Sequence, residues 1–288
     1  MKNILVVGAA KPLGLEIVKR LLAKGFSVVA TYRHSDSARL LELTDDNLKI
    51  EQLDLNDGTA AEAMIARADG VIFTPILTVC EKSAKSLRKD ARAIFLSSNN
   101  VTIDPEAPVY AALLQAERGI SQIAPQATIL RPTMIYGYPG DGNLSRLMTF
   151  VKRFRFSPIF GSGEALQQPV FYRDLAGVAV DALLNGHRKS ELVAVGGPDA
   201  VSLKQLHLEV VKATCVRAIA IGAPLSLVRP AVRAIEKIGV NAPLSTAQIA
   251  RAETDKIPIG AVVQLGSTTL ENGLKSLAAS LDATERGA

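Results

Sequence analysis

Short apolar runs alternate with longer amphipathic stretches through the first half of the chain. The runs 3–7, 27–32, 49–53, 70–73, 93–96 and 128–131 are rich in Val, Ile and Leu and read as strands. Between them, 13–22, 60–68, 78–87 and 110–123 carry apolar residues every three or four positions, which is the helical period. Strands that alternate with helices imply a parallel sheet joined by right-handed crossovers. Such a sheet binds ligands at the carboxyl ends of its strands.

The rhythm changes after Tyr136. Residues 137–142 (Gly-Tyr-Pro-Gly-Asp-Gly) form a turn, 144–154 a helix, and 157–168 a loop. Ser202-Leu203-Lys204-Gln205 and Thr268-Thr269-Leu270-Glu271 read as capping boxes that open two further helices. Asp141 and Asn143 are expected to cap the helix at Leu144, and Asp174 the helix 175–184. The expected division is a dinucleotide-binding domain over 1–140, with return segments around 165–200, and a substrate or C-terminal lobe over 141–288. The fold class is α/β: a doubly wound parallel Rossmann sheet with a small, mostly helical C-terminal lobe.

Composition adds limits. Of 288 residues, 48% are hydrophobic, 5% aromatic and none Trp, which suits a large core built from aliphatic side chains. The net charge of +5 is scattered among acids without a basic block, so nucleic acid is not an expected partner. The same field would favour an anionic cofactor. Cys80 and Cys215 stand in apolar stretches and read as small core residues in a reducing compartment. No signal peptide and no spanning segment is read, so the expected location is cytoplasmic, with peripheral membrane contact left open. That contact would come from 213–240, which is apolar and basic through Arg217, Arg229, Arg233 and Lys237 and interrupted by Pro224 and Pro230. A lid packed on the core is the alternative. His34, His187 and His207 share no ligand spacing, and no metal site is read.

The first strand runs into Gly8-Ala9-Ala10-Lys11-Pro12-Leu13-Gly14 and then a helix. A tight turn there brings backbone N–H groups and a helix N-terminus against a pyrophosphate. Gly8 supplies the turn and Gly14 the close helix–strand approach.

This loop resembles the G-x-x-G-x-x-G loop of short-chain dehydrogenases, with Lys11 where the middle glycine belongs. The likeness continues through Gln52-Leu53-Asp54-Leu55, residues 69–74, Phe95-Leu96-Ser97-Ser98, residues 130–137 and residues 171–176. The chain thus resembles the extended or atypical short-chain dehydrogenase/reductase superfamily, and in particular its NAD-dependent epimerase/dehydratase-like members.

The resemblance implies cofactor contacts from Gly8, Ala10, Lys11, Pro12, Leu13, Gly14, Asp54, Leu55, Thr74, Pro75, Arg131 and Pro132. Asp54 would meet the adenine amino group, although a turn-forming Asp reads equally well. Family members that use NAD end the second strand with an acid, whereas here Tyr32 and Arg33 follow Thr31. Arg33 can fork onto a 2′-phosphate that an acid would repel, and Lys11 adds a second charge. NADP(H) is therefore the expected cofactor and NAD(H) the alternative.

Family enzymes pair a Ser after the fifth strand with Tyr-x-x-x-Lys on the next helix. Ser98 and Tyr110 match the first two, but Leu114 stands where the lysine belongs. In the family that lysine holds the nicotinamide ribose and lowers the tyrosine pKa toward neutrality. Three readings stay open. Tyr110 works as a neutral acid in an NADP(H)-dependent oxidoreductase of a small carbonyl or hydroxyl substrate. Or Asn99, Tyr136 or Tyr172 rebuild the chemistry. Or the protein binds cofactor without turnover, as a sensor or assembly protein. A sugar-nucleotide epimerase or dehydratase ranks lower. Arg173 reads as a surface ion-pair residue.

Overall fold

A computed structural model describes residues 2–33, 38–186, 191–223, 225 and 253–286. Two compact units emerge: Met1–Thr133 with Tyr172–Gly196 and Pro258–Gly266, and Met134–Phe171 with Gly197–Ile257 and Ser267–Ala288. Among the described residues no helix is long and apolar enough to cross a membrane.

The first unit is built on one parallel sheet. Its strands are β1 (Asn3–Val7), β2 (Ser27–Tyr32), β3 (Leu48–Gln52), β4 (Gly70–Phe73), β5 (Arg92–Leu96), β6 (Ala127–Pro132), β11 (Glu191–Gly196) and β14 (Val262–Leu265). They lie in the order β14-β11-β6-β5-β4-β1-β2-β3, and every neighbouring pair is parallel. The chain winds from β1 outward through β2 and β3, then returns across β1 to β4. The doubly wound Rossmann architecture expected from the sequence is the one found. Its switch point is the crevice between β1 and β4.

Alternate residues of β1 face opposite layers. Leu5 and Val7 join a core with Phe73, Phe95, Leu113 and Ile120, which packs under α3 (Gly58–Arg67), α4 (Leu77–Cys80) and α6 (Pro108–Ile123). Phe73 and Phe95, paired in register on β4 and β5, stack at 4.5 Å. Ile4 and Val6 are fully buried on the other face, the side covered by α1 (Pro12–Ala23) and α8 (Tyr172–Asn185). Burial on both faces explains why the strands read as continuous apolar runs rather than alternating ones. The expected helix 78–87 is instead α4 followed by a 3-10 helix, Glu81–Ser86. Leu77, Cys80 and Ser83 are all buried at a spacing of three, which the tighter helix satisfies. A four-residue helix, α2 (Ala38–Leu41), lies between β2 and β3, and α5 (Asn100–Ile103) follows β5.

The second unit contains β7 (Ile135–Tyr136), α7 (Leu144–Phe154), β8 (Phe156–Phe160), β9 (Leu166–Gln167), β10 (Val170–Phe171), β12 (Val201–Ser202), α9 (Leu203–Ala213), β13 (Ile219–Ala223) and α10 (Leu270–Arg286). The stretch 157–168, read as a loop, carries β8 and β9. Pro158 hid the first, because it lies inside a strand whose partner among the described residues, β13, is some 60 residues away in sequence. Asp141 is the cap of α7, its Oδ1 accepting from Asn143 N at 2.8 Å and Ser145 N at 3.0 Å, while Asn143 makes no side-chain cap. Ser202 Oγ accepts from Gln205 N at 3.1 Å, as the capping box requires. For α10 the cap is Thr269 rather than Thr268, since Thr269 Oγ1 accepts from Asn272 N.

Two further expectations are corrected. Asp174 lies in the first turn of α8, which starts three residues earlier than expected, where its carboxylate complements the helix dipole. Cys215 is exposed, in a left-handed conformation (φ 53°) where the chain turns away from α9, so only Cys80 is a core thiol. In the stretch 213–240, residues 219–223 are a strand. Pro224, Arg229, Pro230, Arg233 and Lys237 lie outside the described residues, as do His34 and His187.

Candidate functional site

Because all eight strands are parallel, the segments after β1 to β6 leave from one edge of the sheet. Those segments hold nearly every residue singled out from the sequence. From β3 to β5 the edge crosses four strand spacings, about 19 Å, enough for two nucleosides joined by a pyrophosphate.

At the switch point Gly8 turns with φ +79°. Thr74 Oγ1, at the end of β4, lies 2.9 Å from the carbonyl oxygens of Val7 and Gly8 and hydrogen-bonds to them. Ala9 N donates to Thr31 O at 2.7 Å, fixing the other side of the turn. A Cβ on Gly8 would lie 2.6 Å from Thr74 Oγ1, and one on Gly14 would lie 2.6 Å from Gly8 O and 2.8 Å from Ala9 Cα. Both positions therefore need glycine for space, and Gly8 for its conformation as well.

Lys11 is the extended N-cap of α1, exposed, with no side-chain cap bond, and Pro12 is the first helical residue. Pro has no N–H to orphan, and the following first-turn amides of an α-helix lack intrahelical acceptors. Leu13 is buried and Ala10 half-buried. This cradle fits a pyrophosphate: a glycine turn, a helix N-terminus free of acidic residues in its first turn, and a cation at the cap.

On the β2–β3 side, Arg33 is exposed directly after β2, and its carbonyl accepts from Gln52 Nε2 at 3.0 Å. Asp54 Oδ1 accepts from both the backbone and side-chain nitrogens of Asn56, at 2.9 Å each. The turn-forming role of Asp54 is thus visible. Leu55 packs against the core beside it. Pro75 follows Thr74, and its carbonyl takes the Cys80 thiol at 3.7 Å. Burial pushes that thiol up to about 12, so it stays protonated.

On the β5 side the structure brings Ser98 and Tyr110 together through a residue the sequence did not flag. Asn100 N donates to Ser98 Oγ at 3.2 Å, and Asn100 Nδ2 donates to the Tyr110 hydroxyl at 2.9 Å. Tyr110 sits in the first turn of α6, and Leu114 lies one turn further on, half-buried against the core. Asn99 is buried, and its Oδ1 accepts from Ile259 N at 3.1 Å.

Arg131 is the residue the arrangement holds away from the loops. Its guanidinium forks onto Glu117 of α6, with Nε–Oε1 at 2.9 Å and Nη2–Oε2 at 2.5 Å. Pro132 ends β6, and its carbonyl accepts from Asn99 N at 2.9 Å. Glu117 also escaped the sequence reading. The signal was there, because an acid four residues after Leu113 and three before Ile120 falls on the buried face and needs a partner. Of the other polar candidates, Tyr136 belongs to the second unit and packs edge-on against Phe171. Tyr172 accepts from Arg173 Nε at 3.0 Å, and Arg173 makes a long surface pair with Glu16 at 3.9 Å.

The family model for short chain dehydrogenase matches residues 2–72. NADH dehydrogenase [ubiquinone] 1 alpha subcomplex subunit 9, mitochondrial, of Arabidopsis thaliana is 29% identical over 222 residues, 70% of this chain and 55% of the relative. The mitochondrial NADH-ubiquinone oxidoreductase 40 kDa subunit of Neurospora crassa is 24% identical over 251 residues, 81% of this chain and 65% of the relative. The chain thus spans between about half and two thirds of the length of these curated relatives. Among solved structures, UDP-glucuronic acid 4-epimerase from Bacillus cereus, in complex with UDP-glucuronic acid and NAD, superposes with a TM-score of 0.70 at 16% identity, covering 98% of this chain and 99% of that one. Residues 2–72 thus resemble a short chain dehydrogenase, and the chain as a whole shares its fold with the NAD-bound epimerase.

Proposed function

We propose that this protein binds a nicotinamide dinucleotide along the carboxyl edge of its sheet, NADP(H) in preference to NAD(H), and reduces a carbonyl group of a small organic substrate. The observation that carries the reading is the hydrogen-bonded set Ser98–Asn100–Tyr110 on the same edge as the Gly8–Gly14 cradle. Arg33 and Lys11 are the cations suited to a 2′-phosphate, and neither Thr31, Tyr32 nor Arg33 is an acid that would repel one. When bound, a reduced nicotinamide supplies a hydride to a carbonyl carbon. Tyr110 then gives its proton to the carbonyl oxygen, Ser98 steadies that oxygen, and solvent restores the tyrosine. A neutral acid suffices for this direction, so Leu114 in place of lysine does not forbid it.

NADPH oxidation on a panel of aldehydes, ketones and quinones tests the reading. Tyr110→Phe is expected to lower turnover by more than about tenfold, and an unchanged rate removes Tyr110 from the mechanism.

A second reading is favoured by Leu114 and by the relatives named as NADH dehydrogenase subunits: a cofactor-binding accessory protein without turnover. It requires cofactor affinity, no turnover on carbonyl or sugar-nucleotide panels, and binding indifferent to Tyr110. Epimerisation ranks below both, because family epimerases rely on the absent lysine. Two free thiols, one of them exposed, suit a reducing compartment, and we assign the protein to the cytoplasm on that ground.

A further inference from the structure

Asn100 is fixed at three points. Its N–H donates to Ser98 Oγ at 3.2 Å, its carbonyl accepts from Asp104 N at 3.0 Å, and its Nδ2 donates to the Tyr110 hydroxyl at 2.9 Å. The backbone contacts close the single turn of α5, so the side chain projects from a defined base. One residue therefore links the segment after β5 to the first turn of α6. Leu114, packed on the core one turn beyond Tyr110, offers no donor of its own.

We propose that Asn100 is the positioning residue for Tyr110, aiming its hydroxyl and stabilising the charge that develops there when the proton leaves. The inference rests on the reductase reading. A phenol oxygen can accept from an amide while its own O–H donates to a substrate oxygen. As that hydrogen departs, negative charge grows on the atom toward which Nδ2–H already points, and a donor set in place beforehand costs no reorganisation. In the full step the carbonyl π bond breaks, and its carbon gains the hydride of the dihydronicotinamide, which is oxidised. The Tyr110 O–H bond breaks as its proton forms the alcohol O–H, and the tyrosinate regains a proton from water. An amide is a dipole rather than a full charge, so the help is smaller than an ammonium would give and suits proton donation better than proton removal.

The test follows NADPH oxidation by the full chain with 9,10-phenanthrenequinone as the carbonyl probe. It compares wild type with Tyr110→Phe, Asn100→Asp and Asn100→Ala. Asn100→Asp keeps the shape and replaces the Nδ2 donor with an oxygen. Both Asn100 variants are expected to lower kcat about tenfold or more, leaving KM for NADPH unchanged. In protein labelled with 13Cζ-tyrosine, the Tyr110 resonance, identified by its absence from Tyr110→Phe, is expected to move in Asn100→Asp. If Tyr110→Phe loses rate while Asn100→Asp keeps it, the inference is overturned and the reductase reading stands. An unmoved Tyr110 resonance together with a lowered unfolding midpoint reduces Asn100 to a structural residue and also overturns it. Equal rates in wild type and Tyr110→Phe, or no oxidation by wild type, overturn the reductase reading itself.

Discussion

Glu117 and Arg131 form a two-point ion pair inside the first unit, joining α6 to β6 with the Glu117 side chain 3% exposed and that of Arg131 13% exposed. The pair lies one turn along α6 from Leu114. Both charges are desolvated, so each depends on the other. It also means that anything Arg131 lends to a ligand at the sheet edge comes from its backbone, because its guanidinium is held by Glu117.

Removing one partner alone is the costly change. Glu117→Ala is expected to destabilise the protein by about 3–5 kcal/mol, since it strands a buried guanidinium. The double variant Glu117→Leu, Arg131→Met is expected to recover most of that loss. Urea unfolding midpoints of the three proteins check this, and a double variant no better than the single one refutes it.

Gly14→Ala tests the phosphate cradle. The added Cβ would meet backbone atoms, Gly8 O at 2.6 Å and Ala9 Cα at 2.8 Å, so the loop itself has to shift. The expected outcome is loss of the stabilisation given by NADPH, read as the disappearance of its thermal shift. A variant that keeps the wild-type shift would show that the cofactor does not use this loop.

How much of this was legible beforehand varied with the environment of each segment. β1, β2 and β4 are buried between helical layers, and their runs coincide with the observed limits. β14 was not found, because it is a four-residue strand at the sheet edge with Val263 and Leu265 exposed. Gly8, Gly14 and Ser98 could be read from motif spacing. Asn100 could not, since an Asn beside another Asn after a strand has no pattern of its own. Its role comes from a contact with Tyr110, ten residues away.

Leu114→Lys restores the ammonium that the family pairs with tyrosine. On α6 position 114 lies on the same face as Tyr110, four residues on, and a lysine stem can cover the apolar surface Leu114 now covers. Alcohol oxidation with NADP+ is expected to rise about tenfold or more, with a smaller change in the reductive direction. Unchanged rates in both directions would separate Tyr110 from the chemistry.

His207 sets an acid limit on stability. It is buried with Nδ1 2.8 Å from the Oγ of fully buried Ser157, and burial pushes it down from 6.5 to about 4. Between those values the unfolded chain binds a proton that the folded chain refuses. The contribution is therefore complete above about pH 6.5 and is lost as pH falls toward 4, reaching about 3 kcal/mol. His207→Gln can still partner Ser157 and does not titrate. The difference between wild type and this variant in unfolding free energy is expected to change across pH 4–6.5 and stay level above it. A difference that is level throughout would contradict the assignment.

The central claim is that the edge from β3 to β5 holds a nicotinamide dinucleotide and that Arg33 selects the phosphorylated form. Calorimetric titration of wild type and Arg33→Ala with NADPH and with NADH tests it most directly. One site per chain is expected, with NADPH tighter than NADH, and Arg33→Ala should weaken NADPH about tenfold while leaving NADH nearly unchanged. Equal affinities that Arg33→Ala does not alter would contradict the selection, and absence of binding by either nucleotide would contradict the site.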